Sequence, residues 1–275
     1  EKKCITTERL MMQINTPKGD EYTSFNIPYS DNYKLKKLAG QIQDVNATVI
    51  RKLTNKDILT TSAFSNSTFY SDNFVKRFSL KHNTYPYIIE VEKQYEISPY
   101  FHIIDWDPTW NKEINTLDAE LIVKFPSGFE FKTNTNNIGQ PVITENDKGK
   151  TYKWQSSYTK LKVNDIFAPS MKDSIPSVLV IPLNFNYIKP GSFDSWKSMG
   201  EWELAIDKGL DDLTPGEMSN IDQITKGIND PRKIVSLLYH YMQDNTRYIF
   251  VNIDLGGFQP YPASYVCNNR FGDCK

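Results

Sequence analysis

The chain has 275 residues, 39% of them hydrophobic and 13% aromatic, and a formal net charge of −1. That is apolar mass enough for cores in about two domains, while the even charge without a basic stripe excludes a nucleic-acid binder and no apolar run approaches the roughly eighteen residues of a membrane span. Three cysteines cannot build a disulfide framework, and the start Glu1-Lys2-Lys3-Cys4 has no signal-peptide pattern, so any export signal is expected to be missing from this stretch.

Strand patterns dominate the first two thirds. Period-two alternation marks residues 6–14, 21–27, 46–53, 68–80 and 86–97, and Cys4 reads as a plain strand residue. Residues 33–43 interrupt the series with a helical stripe. His82 falls in a turn, and the apolar run Tyr100-Phe101-His102-Ile103-Ile104 predicts a half-buried His102. The loop Trp106-Asp107-Pro108-Thr109-Trp110 presents two tryptophans, which either cap the core or offer a face to a peptide or glycan. Ala119, Leu121, Val123 and Phe125 alternate into a turn at Pro126-Ser127-Gly128, and Asp147-Lys148-Gly149-Lys150 joins residues 141–146 to 152–156 as a hairpin. With residues 177–187 this makes about ten strands, read as one large antiparallel β-sandwich over residues 1–190.

Helical spacing takes over afterwards. Pro190-Gly191 reads as a linker, and Trp196 and Trp202 sit in a short helical segment suited to docking the two domains. Thr214-Pro215-Gly216-Glu217 is a capping box, followed by Met218, Ile221 and Ile224 and a stop near Gly227. Asp211 and Asp212 beside Glu217 lack calcium-loop spacing and read as helix-start charge. Asp230-Pro231 opens a second helix with Ile234, Leu237, Leu238, Tyr241, Met242 and Asn245 on one face, and Arg232, Ser236, Tyr239, a solvated His240 and Gln243 on the other. It ends near Asn245, before a brief extended piece at residues 248–251.

The run Gly256-Gly257, Pro260, Ala263, Val266, Arg270 and Gly272-Asp273-Cys274-Lys275 resembles the stretch that enters the catalytic helix of bacterial transglutaminase-like cysteine enzymes. The resemblance gives Cys274 the nucleophile position. A free thiol with a pKa near about 8.5 needs activation by a histidine or a helix N-terminus. A turn at Gly272 with Asp273 as cap would place Cys274 at such a terminus, where the dipole favours a thiolate and the cysteine N–H can help bind an oxyanion. Asp273 opposes this unless its carboxylate is turned into the cap. The histidine and aspartate of that family follow the cysteine, whereas His82, His102 and His240 all precede it and match no family position. The resemblance therefore implies a truncated domain, inert by itself. It implies no cofactor and no metal, and Cys267, seven residues before Cys274, fits no zinc spacing and reads as a packed thiol.

Residues 45–53, Asp57-Ile58, Ser71-Asp72, Tyr85-Pro86-Tyr87 with Glu90, and Phe125-Pro126-Ser127-Gly128 resemble the domain of unknown function that commonly precedes transglutaminase-like domains in exported bacterial proteins. The two resemblances together imply a mainly β protein: a large β-sandwich over residues 1–190, then the helical first half of a papain/transglutaminase-like α+β domain over 191–275. They imply a periplasmic or cell-surface setting and a cysteine hydrolase or acyltransferase, a protease or amidase with a protein or peptide substrate. The alternative is a non-enzymatic periplasmic or surface module whose β domain binds protein or glycan.

Overall fold

The computed structural model describes residues 3–62, 68–71, 73–160, 171–252 and 258–272. The chain is mainly β, with several antiparallel sheets and its long helices toward the C-terminal end, as the strand and helix patterns predict. It folds into two compact units, Glu1–Ser98 with Leu204–Lys275, and Pro99–Glu203. This grouping follows a different line from the expected boundary at residue 190.

The first unit begins with β1 (Cys4–Ile14), β2 (Ser24–Tyr29), β3 (Tyr33–Gln43), β4 (Val49–Lys52), β5 (Leu59–Ser62), β6 (Thr68–Ser71), β7 (Phe74–Ser79) and β8 (Tyr87–Ile97). One sheet runs β1-β8-β3-β4 and a second β2-β7-β5, all antiparallel. β8 alternates as a half-buried strand should: Tyr87, Ile89, Val91 and Tyr95 are buried, while Glu90, Glu92 and Glu96 on the other face pair with Arg9, Lys37 and Lys3. Phe25 stacks on Phe78 in the second sheet, and the Tyr95 hydroxyl donates to the Pro28 carbonyl.

Residues 33–43, expected as a helix, form strand β3. The reason is a register shift between Leu35 and Lys37, where Leu35 opposes Tyr95, Lys37 opposes Gln94, and Lys36 is the extra residue. The bulge turns Leu35 and Leu38, three apart, toward the same face, and three-residue spacing in sequence imitates a helix. Residues 68–80 likewise divide into β6 and β7.

A carboxylate fixes the 3₁₀ turn Pro17–Thr23 to the start of β8. Asp20 accepts from Lys81 Nζ at 2.8 Å, from the Tyr85 hydroxyl at 2.8 and 2.9 Å, and from the Tyr87 hydroxyl at 3.3 Å. Lys81, followed by the tyrosines, holds Asp20 below the usual carboxylate range against the upward push of burial. Burial and then the Asp20 hydrogen bond push the Tyr85 phenol up to about 12.

The second unit contains β9 (Ile104–Trp106), β10 (Thr116–Pro126), β11 (Phe131–Asn136), β12 (Val142–Asn146), β13 (Gly149–Tyr158), α1 (Met171–Ser174), β14 (Ser177–Pro182), β15 (Asn184–Tyr187) and β16 (Lys189–Ser192); α2 (Trp196–Asp207) follows and crosses the division. Sheets β10-β13-β12 and β11-β14-β9 share one core of Leu121, Val123, Phe125 and Trp154 from the first and Val178 and Val180 from the second. The turn at residues 126–129, with Gly128 left-handed at φ 76°, carries the chain from one sheet to the other, and Phe125 stacks on both Phe129 and Phe131. The expected 141–156 hairpin is present as β12–β13. The expected strand over 177–187 breaks at Leu183 into β14 and β15.

Pro190-Gly191, expected as a linker, is instead part of the β15–β16 hairpin. Trp202 is fully buried within this unit: its ring packs on Phe101 and Phe185, and its Nε1 donates to the carbonyls of Tyr187 and Lys189 at 3.1 Å. Trp196 is 93% exposed. A glycine is needed at 191 because a Cβ there would lie 2.5 Å from the Phe185 ring and 2.7 Å from the Trp202 ring.

The first unit resumes with α3 (Pro215–Thr225), α4 (Pro231–Asn245), β17 (Arg247–Tyr248), β18 (Phe250–Asn252), α5 (Ala263–Asn269) and β19 (Phe271–Gly272). β18 pairs in parallel with β6, and β17 with β19. Thr214 and Asp230 cap α3 and α4, each with proline in the first turn, and left-handed Gly227 follows the end of α3. Among the described residues no helix is long and apolar enough to cross a membrane.

Two expected outcomes follow from this packing. Gly191→Ala should lower unfolding stability by about 1–3 kcal/mol through overpacking against Phe185 and Trp202, measured by urea denaturation; an unchanged midpoint would contradict the packing. Asp20→Asn should destabilise the protein at neutral pH. A depressed folded-state pKa contributes stability above the ordinary aspartate pKa of about 3.9 and loses it as pH falls through the lower folded value, so the gap between wild type and variant should close toward acid pH. A gap that persists or widens below that range would contradict the network.

Candidate functional site

The described chain runs through α5 and β19 to Gly272, the residue before Asp273-Cys274 in sequence, and three sets of contacts fix that stretch. The first acts at the start of α5. The Ala263 N–H donates to the Leu210 carbonyl at 2.7 Å, and Asp212 accepts from the Ser264 hydroxyl at 2.7 Å and from the Ser264 N–H at 3.4 Å. The Ser264 hydroxyl lowers the Asp212 pKa. Asp212, expected as helix-start charge for the nearby α3, thus serves the first turn of α5, 52 residues later in sequence.

The second set acts at the end of α5. Arg270 closes the helix in the left-handed region at φ 58°, ψ 31°, its N–H donating to the Val266 carbonyl at 2.8 Å. Gly272, expected to supply the backbone freedom of this turn, is an extended residue of β19. The Arg247 N–H donates to the Arg270 carbonyl and the Ile249 N–H to the Gly272 carbonyl, both at 2.9 Å. This parallel pairing holds Phe271–Gly272 beside β17.

The third set uses the Arg270 side chain. Its guanidinium lies 3.7 Å from the carboxylate of Glu217 in α3, a side chain only 8% exposed, and interacts with Tyr241 of α4. Tyr241, with Glu217 beside it, raises the Arg270 pKa. Half of the expected capping box is present, the Glu217 N–H donating to Thr214 Oγ1 at 3.2 Å, while the Glu217 carboxylate is directed to Arg270. Glu217, Tyr241 and Arg270 therefore join three helices through one cation.

Cys274 and Asp273, the nucleophile position and its neighbour, lie outside the described residues, as do Gly256 and Gly257. Cys267 is half-buried on α5, and burial pushes its thiol pKa up, with Glu217 and Asp212 adding to the rise and Arg270 opposing it. A protonated, half-buried thiol is a poor nucleophile at neutral pH. Cys4, on β1, is similarly raised by burial. His240 is exposed, its Nδ1 2.6 Å from the Ser236 carbonyl one turn back, and the His82 ring meets the Tyr87 ring edge-on. His102, expected to be half-buried, is exposed.

The inner face of α4 is the expected one at Ile234, Leu237, Leu238, Tyr241 and Asn245, all half-buried; Met242, expected with them, is 53% exposed. In the tryptophan loop, Trp106 is half-buried against the core of the second unit and Trp110 is exposed. The described residues contain no cluster of histidine, cysteine and acidic side chains able to hold a metal ion.

Two likenesses place this architecture among known proteins. Residues 4–161, more than half of the chain, match the family described as a domain of unknown function with solved structure, DUF3857. A solved structure from Parabacteroides distasonis ATCC 8503, described as a "putative protease", shares the fold with a TM-score of 0.66 at 14% identity. The likeness covers 98% of this chain and 52% of that one, so the chain spans about half the length of the structure it matches. None of the curated proteins matches. The β-rich architecture and the family match agree, and the chain belongs to the DUF3857 family.

Proposed function

We propose that this chain is part of an exported transglutaminase-like cysteine hydrolase or acyltransferase, with Cys274 as nucleophile and a protein or peptide as substrate. The observation that carries the reading is the Gly272-Asp273-Cys274-Lys275 motif at the end of an approach fixed by α5, β17 and the Arg270 contacts. The fold likeness to the Parabacteroides protein supports a hydrolase, and the family match over residues 4–161 supports the pairing of this β region with such a domain. The raised pKa of Cys267 supports Cys274 as the reactive thiol of the pair.

In the proposed reaction the Cys274 thiolate attacks an amide carbonyl carbon. A C–S bond forms, the C–N bond breaks, and the amine leaves with the proton that the thiol gave up on becoming the thiolate. Water then attacks the thioester, returning the thiol and releasing a carboxylic acid; an amine acceptor in place of water gives transfer. A periplasmic or cell-surface location belongs to the same proposal.

The test uses the protein expressed from its complete gene, with fluorescently labelled denatured casein as the probe. Wild type should release soluble fluorescence, and Cys274→Ala should reduce the rate by about a thousandfold or more at an unchanged melting temperature. Turnover retained in Cys274→Ala would place the chemistry elsewhere.

A further inference from the structure

β12 is the outermost strand of the sheet β10-β13-β12, and all five of its residues are exposed. Val142 on one face is 65% exposed and Ile143 on the other 55%, so the strand projects beyond the core that buries Leu121 and Val123 of β10. The hairpin decides which backbone groups line its outer edge. Asp147 and Lys148 form a two-residue loop closed by Asn146 and Gly149, and the Lys148 N–H donates to Asn146 Oδ1 at 2.9 Å. Such a loop makes its closing pair a hydrogen-bonded one, and bonded and non-bonded pairs alternate along an antiparallel ladder. Asn146, Thr144 and Val142 therefore bond to β13, while Ile143 and Glu145 direct their backbone N–H and C=O groups outward, where no strand among the described residues meets them. An unpaired row of this kind is a template for a further strand. Glu145, the charge that would guard it, lies 3.4 Å from Lys150 of the same hairpin.

We propose that β12 is a dimerisation edge, which pairs antiparallel with β12 of a second copy of this chain about a two-fold axis at Thr144. In that register Ile143 exchanges both backbone hydrogen bonds with Glu145 of the copy, and Glu145 does the same with Ile143 of the copy, so the outward groups of both residues are used. Thr144 faces Thr144 of the copy. Because it also faces Thr151 within its own hairpin, a row of threonines crosses the joined sheet, a favourable cross-strand pairing. The two Ile143 side chains become diagonal neighbours on the face that carries Tyr152, and no like charges stand directly opposite. Moving the axis to Ile143 would set Glu145 against Pro141, which has no N–H to give. The strand is thus complementary to itself in one register, and that selects a second copy over an unrelated peptide as its occupant. A contact one strand wide lies below about 1,200 Å² and makes an exchanging dimer rather than an obligate one. It is independent of the chemistry proposed for Cys274.

The experiment is sedimentation velocity on the protein from the complete gene, with a thiol reductant present, over about 1–200 μM. Wild type should shift from monomer toward dimer across that range. Thr144→Lys, which sets two ammonium groups opposite each other at an exposed position, should weaken association by about tenfold or more. Disulfide trapping with copper–phenanthroline as oxidant then reads the register. The Thr144→Cys variant should cross-link through position 144 of both copies, whereas Val142→Cys, whose two copies stand about 13 Å apart, should not. Peptide mass spectrometry separates these bonds from any that involve Cys4, Cys267 or Cys274. A wild type that stays monomeric throughout overturns the proposal and leaves the edge to a peptide strand of another protein. Dimers undiminished by Thr144→Lys, or trapped at position 142 rather than 144, overturn it as well, by placing the contact elsewhere or in another register. If Thr144→Lys fails to fold, Ile143→Pro, which removes an N–H that β13 does not use, carries the same expectation and the same contradiction.

Discussion

A guanidinium shared by three helices is the constraint on which the C-terminal part of the molecule depends. Arg270 occupies a backbone conformation that is unfavourable for its type, and its guanidinium, 44% exposed, lies 3.7 Å from the buried Glu217 carboxylate. Breaking one limb of such a contact leaves a buried carboxylate without its counter-charge, a larger loss than that of an exposed ion pair. The exposed pairs of the first sheet, such as Lys37 with Glu92, are of the weaker kind, and there the hydrophobic alternation of β8 sets the structure.

The second unit depends on close approach instead. Gly191 lets the β16 backbone lie against the Phe185 and Trp202 rings, and Gly149 lets the β13 backbone pass Phe125, whose carbonyl oxygen would be 1.9 Å from any Cβ at that position. These two glycines serve different cores. One belongs to the aromatic cluster of Phe101, Phe185, Phe193 and Trp202, the other to the two-sheet core around Phe125 and Trp154. Packing at this density tolerates little added volume.

Much of the fold was legible wherever one face of an element is buried and the other wet. β1, β8 and the β12–β13 hairpin follow from alternation, and α3 and α4 from caps that combine a short polar side chain with proline. β3 was misread because the bulge at Lys36 converts two-residue periodicity into a three-residue step. Pro190-Gly191 looked like a linker because sequence alone does not show that the space beside a glycine is filled by rings from residues 185 and 202. The motif around Cys274 rests on residue order alone, outside the described residues. The Arg270 cluster was not, because Glu217 already had a local explanation as a capping residue and Tyr241 one as a helix-face residue. Contacts between helices far apart in sequence leave no spacing to read.

The central claim is that Cys274 carries the acyl group during turnover. Its most direct test is to mix the protein from the complete gene with p-nitrophenyl acetate, quench, and map the acyl group by peptide mass spectrometry. The account predicts one acetyl group on the peptide containing Cys274, released by neutral hydroxylamine as a thioester is, with Cys267 unmodified. An acyl group on another residue, or a Cys274 peptide that stays unmodified while the ester is turned over, would contradict it.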